Sequence, residues 1–340
     1  MTRILLYGEN WEGTHVDSIS KVLMNKGIDH QIFDFFRIMH KDYSSRALNK
    51  IFRELTYSSN ERLVNTLFLS KFYEYKPAVV LISKGINIFP ETLFKMQKHG
   101  ARIVNWNPDD FFNKLNSTKN LLNSTSLYDN VYSARKHLFD EYKAKGIRNP
   151  VYLEWYYIPW LHKKIENPDR EFVKKVRFVG TYSKRRQEII NAIHSNYQVE
   201  IWGSGWDMSK LRMKGNVNIN KLLKQSEFPQ IMSQCSINLN ILTKENRDET
   251  NLKVFEIPAS NGFMLSEKTN GISEILKSEI DCKFFDPKTS DNLNEQINNV
   301  FTMKENDFLL MRQNGYEKIV NNNNSIVNRV DFIINDLQLK

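Results

Sequence analysis

Apolar residues along this chain gather into short uninterrupted runs, separated by stretches with helical spacing. Arg3-Ile-Leu-Leu-Tyr7 is the first run. It is too short for a helix and is closed by Gly8, so it predicts a buried strand. Residues 16–26 put Ile19, Val22 and Leu23 on one helical face, Gly27 ends that helix, and 28–33 reads as the next strand. The same alternation continues with strands over 78–83, 101–106 and 130–132 and a final aromatic run from Val151. Between them lie a largely helical stretch over 37–76, a helix opened by Pro90 at its first turn, and one closed by Gly146. The second half repeats the scheme, with apolar runs at 175–180, 199–203, 217–219, 235–240, 263–265 and 283–285 and an amphipathic helix over 326–339. Strands alternating with helices predict parallel sheets covered on both faces, an α/β protein. The polar, proline-containing stretch 161–172 separates the halves. It predicts one Rossmann-like domain over 1–165, a second over 166–320 and a terminal helical segment over 321–340.

The stretch that carries most chemistry is Asn251-Leu-Lys-Val-Phe-Glu-Ile-Pro-Ala-Ser-Asn-Gly-Phe-Met-Leu-Ser266. A short helix is stopped at Asn261-Gly262, where Gly262 would take the φ > 0 conformation of a C-terminal cap. A buried strand follows, then Gly271 and a new helix. This arrangement sets Glu256 beside a cleft at the carboxyl end of a parallel sheet, where open α/β sheets bind ligands. A carboxylate there can accept two hydrogen bonds from a vicinal diol such as a ribose; alternatively it pairs with a nearby Lys or Arg.

Gly180-Thr181-Tyr182-Ser-Lys184-Arg185-Arg186 joins a strand to a helix. Backbone N–H groups at such a turn, with Lys184 and Arg185, suit a diphosphate; the alternative is a solvated basic turn. Gly203-Ser-Gly205-Trp206 ends another strand. Arg247 and Lys253 flank the acidic residues and are candidates to hold a diphosphate. In the first half, His15 falls at or near a helix N-terminus, which lowers an imidazole's pKa and leaves it as base or hydrogen-bond donor, or as a simple cap. Asp109 and Asp110 follow a strand. They could hold a metal through oxygen, or Asp109 could cap the next helix. A metal is disfavoured, because neighbouring side chains diverge on most loops. There is neither a Gly-x-Gly-x-x-Gly loop nor a Walker sequence.

"NLKVFEIPASNGFMLSE" resembles the nucleotide-sugar segment of GT-B glycosyltransferases, most closely the CgeB-like (spore maturation protein) group. Asp248, eight positions before Glu256, resembles the first member of the acidic-x7-Glu pair of retaining enzymes, with Asp where Glu is more usual. "FVGTYSKRR", Gly203-Ser-Gly205-Trp206 and Trp106-x-x-Asp109-Asp110 are similar to elements of the same group. The resemblance covers roughly 175–330 well and the first half loosely. It implies GT-B architecture, two Rossmann-like domains facing a central cleft, with the last helix returning to the N-terminal domain. It also implies metal-independent transfer of a hexose from a nucleotide diphosphate sugar, UDP favoured, with retention and no cofactor. The acceptor would be a protein, a glycan or another polymer. By the same resemblance Glu256 binds the donor ribose, Asp248 lies near the transferred sugar, and Gly203, Gly205 and Trp206 approach the base. Thr181, Tyr182, Lys184, Arg185, Arg247 and Lys253 surround the phosphates. Gly180, Gly203 and Gly262 permit close backbone approach, and Asn10, Trp11, His15, Asp109 and Asp110 face the acceptor, the Asp pair as a base or acceptor-binding group. The group usually has His-Thr near its end; here Asn-Ser precedes Arg329. A nucleotide-sugar epimerase-like enzyme and a nucleotide-binding regulatory module without turnover are the alternatives.

Composition narrows this picture modestly. With 41% hydrophobic and 26% charged residues the chain is globular. Its net charge of +9 favours anionic partners, whether a nucleotide diphosphate, an acidic polymer or a membrane surface. The basic residues are dispersed, which disfavours nucleic acid. No run approaches the ~18 apolar residues of a membrane span and no signal-peptide pattern opens the chain, so a cytoplasmic location is expected, with peripheral membrane contact left open. Cys235 and Cys282 belong to no ligand cluster and read as core thiols.

Overall fold

The computed structural model describes residues 2–39, 46–165 (backbone alone for 46–53), 174–207, 212–234 and 236–339. Its contacts divide into two units. The first comprises Met1–Glu154, Lys244–Arg247 and Ile326–Lys340; the second comprises Trp155–Thr243 and Asp248–Ser325. The division falls at Glu154, ahead of the polar stretch expected to mark it, because the aromatic run after Tyr152 packs into the second unit. Of that polar stretch, 166–172 lies outside the described residues, as does Cys235. Cys282 is buried.

The first unit runs β1 (Ile4–Tyr7), α1 (His15–Asn25), β2 (His30–Phe33), α2 (Phe36–Met39), α3 (Arg46–Tyr75), β3 (Val79–Ser83), α4 (Pro90–Lys98), β4 (Arg102–Trp106), α5 (Lys119–Asn123), β5 (Asn130–Ser133), α6 (Phe139–Ala144) and β6 (Pro150–Tyr152). The strands form one parallel sheet in the order β2-β1-β3-β4-β5-β6. β1 and β3 are buried along their whole length, as expected of central strands covered on both faces. α1 forms because Thr14 caps it, its hydroxyl accepting the Asp17 N–H at 3.4 Å, and because Val16, Ile19, Val22 and Leu23 share its buried face. No helix starts at Asp109, so the alternative in which it caps one is not realised; the next helix is α5. The side chains of Asn107 and Asp110 instead accept backbone N–H groups two residues on, at 2.9 and 3.1 Å, and fold the chain into successive turns.

The second unit runs β7 (Lys175–Val179), α7 (Lys184–Asn191), β8 (Gln198–Trp202), β9 (Val217–Ile219), α8 (Phe228–Ser233), β10 (Ile237–Asn240), α9 (Lys253–Ala259), β11 (Phe263–Glu267), α10 (Asn270–Ile275), β12 (Lys283–Phe285), α11 (Ser290–Thr302) and α12 (Glu305–Val320). Its parallel sheet has the order β12-β11-β10-β7-β8-β9. The last helix, α13 (Ile326–Asp336), belongs to the first unit and lies against α1. There Asp331 pairs with Lys26 at 2.5 Å, and Asp336 accepts from Asn130 and Tyr132 at 2.7 Å each.

In each sheet the chain leaves one strand toward one edge and later returns to its other side. This happens between β1 and β3 in the first unit and between β7 and β10 in the second. Such reversals open a crevice at the carboxyl ends of the strands, the ordinary ligand position of open α/β sheets.

Candidate active site

At the crevice of the second unit two glycine loops touch. Gly180 follows β7 and Gly203 follows β8. A Cβ on Gly203 would stand 1.9 Å from the Gly180 carbonyl oxygen, and its φ of +152° is disfavoured for any side chain. The Trp206 indole N–H donates to that same carbonyl at 2.9 Å, and the Tyr182 N–H donates to the Ser204 carbonyl at 2.8 Å. Trp206 is fully buried, with the Tyr182 ring edge-on to it at 5.2 Å. Gly203, Gly205 and Trp206 thus support the Thr181–Tyr182 loop from beneath.

The three basic residues that follow have separate roles. Ser183 caps α7 by accepting the Arg186 N–H at 3.2 Å, so Lys184 is the first helical residue and its side chain is 87% exposed. Arg185 pairs with Glu267 at 2.6 Å, and burial pushes the Glu267 carboxyl above its usual range in spite of that cation. Arg186 is buried and ties the switch point together. It donates to the carbonyl and hydroxyl of Thr181 at 3.0 and 3.1 Å, and to the Ile241 carbonyl and Thr243 hydroxyl at 2.9 and 3.0 Å.

Glu256 is 7% exposed on α9. Asn251 steadies the start of this helix: its Oδ1 accepts the Val254 N–H at 3.3 Å, and its amide donates to Asn240 at 2.8 Å. Asn240 in turn donates to the Ser266 hydroxyl at 3.0 Å, which links α9 to β10 and β11. One carboxylate oxygen of Glu256 takes the Lys253 ammonium; the other lies 3.8 Å from His162 Nε2. Burial alone would raise the Glu256 carboxyl, but Lys253 and then His162 bring it below its ordinary value. The left-handed turn after the helix is taken by Asn261, at φ +55°, and not by Gly262. Gly262 is needed for space: a Cβ there would lie 2.7 Å from the Met232 carbonyl oxygen and 2.9 Å from the Asn238 amide.

Asp248 is half-buried in the loop before α9. That loop is anchored by Glu249, which accepts the Gly271 N–H at 2.9 Å and the Thr269 hydroxyl at 2.6 Å, and by the Trp155 indole on the Thr250 carbonyl at 3.1 Å.

In the first unit His15 opens α1 at the β1–β3 crevice. Its Nδ1 lies 3.2 Å from the Ser83 hydroxyl and its ring meets Trp106 edge-on at 4.0 Å. Burial, with a smaller contribution from Lys84, brings its pKa down to about 3. Asp109 lies 3.6 Å from Lys84 and accepts from the Asn246 amide at 3.0 Å. Asp110 is buried and pairs with Arg247 at 2.6 Å; Arg247 also takes Glu141 at 2.5 Å. Arg247, expected among phosphate ligands, is therefore ion-paired inside the first unit, and Asp110, expected to face an acceptor, is its partner. Trp11 is exposed beside Phe36, and Asn10 is half-buried.

Solved proteins with this two-sheet arrangement are recognisable across the whole chain. The sucrose-phosphate synthase of Thermosynechococcus elongatus superposes with a TM-score of 0.75 at 11% identity, covering 100% of this chain and 99% of its own. HepE of Anabaena, solved with UDP and glucose, gives 0.66 at 12% identity over 99% of this chain and all of its own. A trehalose-6-phosphate synthase, studied for glycosyl transfer with retention through bisubstrate glycomimetics, gives 0.69 at 13% identity over 100% and 99%. The fold is GT-B. Independently, residues 184–335, spanning α7 to α13, match the family model described as Glycosyl transferase-like. No curated protein matches the chain in sequence. The match takes in Lys184, Arg185, Glu256 and Lys253 of the GT-B chain, though not His162. Among the described residues no group of three His, Cys, Asp or Glu side chains is arranged to hold a metal ion, and no helix is long and apolar enough to cross a membrane.

His162 and Arg186 carry no motif that marks them in the sequence. His162 lies in the polar stretch between the halves, and its nearest signal is the aromatic run that precedes it. Arg186 closes the basic run but carries no assigned role in the sequence, where Lys184 and Arg185 take the phosphate. The helical period, which turns the third of them back toward the sheet, was the available clue.

Proposed function

We propose that the chain transfers a sugar from a nucleotide diphosphate sugar, with UDP favoured, to a hydroxyl-bearing acceptor. The carrying observation is Glu256, a buried carboxylate paired with Lys253 on a short helix at the carboxyl end of the second sheet. A cation and a carboxylate that close can serve adjacent parts of one ligand, Lys253 its diphosphate and Glu256 its ribose diol. The preference for UDP rests on HepE, solved with UDP and glucose. The touching loops at Gly180 and Gly203 would bring backbone N–H groups to the phosphates, with Lys184 adding charge from the start of α7, while Arg185 is held by Glu267.

During transfer the bond from the anomeric carbon to the diphosphate oxygen breaks and a bond to the acceptor oxygen forms. Positive groups held at the departing diphosphate lower that barrier, and Lys253 is the one we assign. Arg247 is left out, because Asp110 and Glu141 already neutralise it. Inversion needs a base on the face opposite the leaving group, whereas retention lets the departing phosphate oxygen take the acceptor's proton. An imidazole brought to about 3, as His15 is, makes a weak base, and Asp110 is spent on Arg247. Asp109 remains as the acceptor-side carboxylate and Asp248 as the group nearest the transferred sugar. We favour retention and a reaction that needs no metal. The close assignment within GT-B is to the CgeB-like group.

UDP release from a panel of UDP-sugars, with and without chelator, tests this reading. Wild type should release UDP in chelator, and Glu256→Gln should lower kcat/KM about 100-fold. Turnover that disappears in chelator, or a Glu256→Gln enzyme as active as wild type, would count against it. The anomeric configuration of the product decides between retention and inversion.

A further inference from the structure

His162 has no role in the donor site described so far, yet the residue is only 2% exposed. Its Nδ1 accepts the Ile158 N–H at 3.0 Å, which fixes the proton of the neutral imidazole on Nε2. That Nε2–H is buried, makes no hydrogen bond among the described residues, and stands 3.8 Å from Oε1 of Glu256. A buried donor is seldom left idle, because its desolvation is then uncompensated. Oε2 of the same carboxylate is held by Lys253. Phe228 steadies both neighbours, edge-on to the imidazole at 5.3 Å and beneath the ammonium at 4.5 Å. Burial, opposed by the attraction of Glu256, brings the ring's pKa down to about 4, so it is neutral near pH 7.

We propose that His162 is a positioning residue for Glu256. When a nucleoside diphosphate draws Lys253 to its phosphates, the carboxylate closes on His162, and Oε1 accepts the Nε2–H at an ordinary distance of about 2.9 Å. The buried charge keeps a partner while its cation is engaged elsewhere, and the remaining lone pairs are turned to the ribose diol. This rests on the reading of Glu256 as the ribose ligand. The backbone N–H of Ile158, the imidazole and the carboxylate then form one aligned chain. A fixed neutral donor suits this role better than a second cation, which would repel Lys253.

Calorimetric titration with UDP, on wild type, His162→Phe, His162→Gln, Glu256→Gln and the Phe/Gln double variant, tests the proposal. His162→Phe should weaken UDP about tenfold. His162→Gln, whose amide N–H can reach the Nε2 position, should recover most of that loss. In the Glu256→Gln background His162→Phe should have little further effect. Nitrogen NMR of the wild-type imidazole should report an Nε2–H ring that shifts on UDP addition, a readout that survives should the Phe variant fail to fold. Wild-type UDP affinity in His162→Phe, or an imidazole signal indifferent to UDP, overturns the positioning role and leaves the donor site standing. Failure of wild type to bind any nucleotide overturns both.

Discussion

The Asp110 carboxylate and the Arg247 guanidinium meet at 2.6 Å although 137 positions separate them in the chain. Asp110 is 2% exposed and also accepts from the Tyr142 hydroxyl at 3.2 Å, while Arg247 reaches on to Glu141. Arg247→Ala strands a buried carboxylate, so a loss of about 1–3 kcal/mol is expected, toward the lower end because the Arg247 side chain is 39% exposed. Urea denaturation should show that loss, and adding Asp110→Asn should recover part of it. UDP affinity should change less than about threefold; a larger change would return Arg247 to the donor site.

Arg186 holds two loops with one guanidinium. A lysine has neither the fork nor the reach to serve Thr181, Ile241 and Thr243 together. Arg186→Lys should destabilise the second unit by about 2–4 kcal/mol and weaken nucleotide binding with it. Equilibrium unfolding followed by tryptophan fluorescence measures the first effect and calorimetry the second.

The contact of Gly203 with Gly180 allows no side chain. Gly203→Ala combines a disfavoured φ with an overlap against backbone, where nothing flexible can yield. A loss of about 3 kcal/mol or more is expected. An alanine variant as stable as wild type would mean that the two loops do not meet as described.

Acid should weaken both units. His15 and His162 are brought by burial to about 3 and about 4, below the ordinary imidazole value of 6.5. With the folded pKa below the unfolded one, the unfolded chain takes up each proton first. Stability is therefore full above about 6.5, falls as pH drops through 5, and flattens below the folded values. Near pH 5 each histidine should contribute a slope of about 1.4 kcal/mol per pH unit. Thermal unfolding from pH 7.5 to 4.5 should show the decline, and His162→Gln should remove the part that belongs to the second unit.

Both sheets were legible from the apolar runs, because a strand buried on two faces leaves an uninterrupted hydrophobic signature. The Pro-Ala-x-x-Gly turn and the glycines after two strands likewise marked the crevice, since close backbone approach leaves few residue choices. Pairings across long sequence separations were not legible. Nothing local in Arg247 says that Asp110 will take it, and nothing in His162 distinguishes it from a linker residue until the chain folds it against Glu256. Gly262 shows a subtler limit. The expectation that Gly262 takes the left-handed turn fails: Asn261 supplies that turn, and the pressure on Gly262 is steric.

Binding of UDP to the crevice around Glu256 is the measurement on which the rest depends. Thermal unfolding of wild type and Glu256→Ala should be followed with UDP, GDP, ADP and UMP. At ~100 times its dissociation constant a nucleotide adds about 2.7 kcal/mol, a shift of roughly 5–10 °C for a unit of this size. The expected result is a shift with UDP in wild type, smaller with UMP and lost in Glu256→Ala. No shift with any nucleotide, or an equal shift in the variant, would contradict a donor site at Glu256.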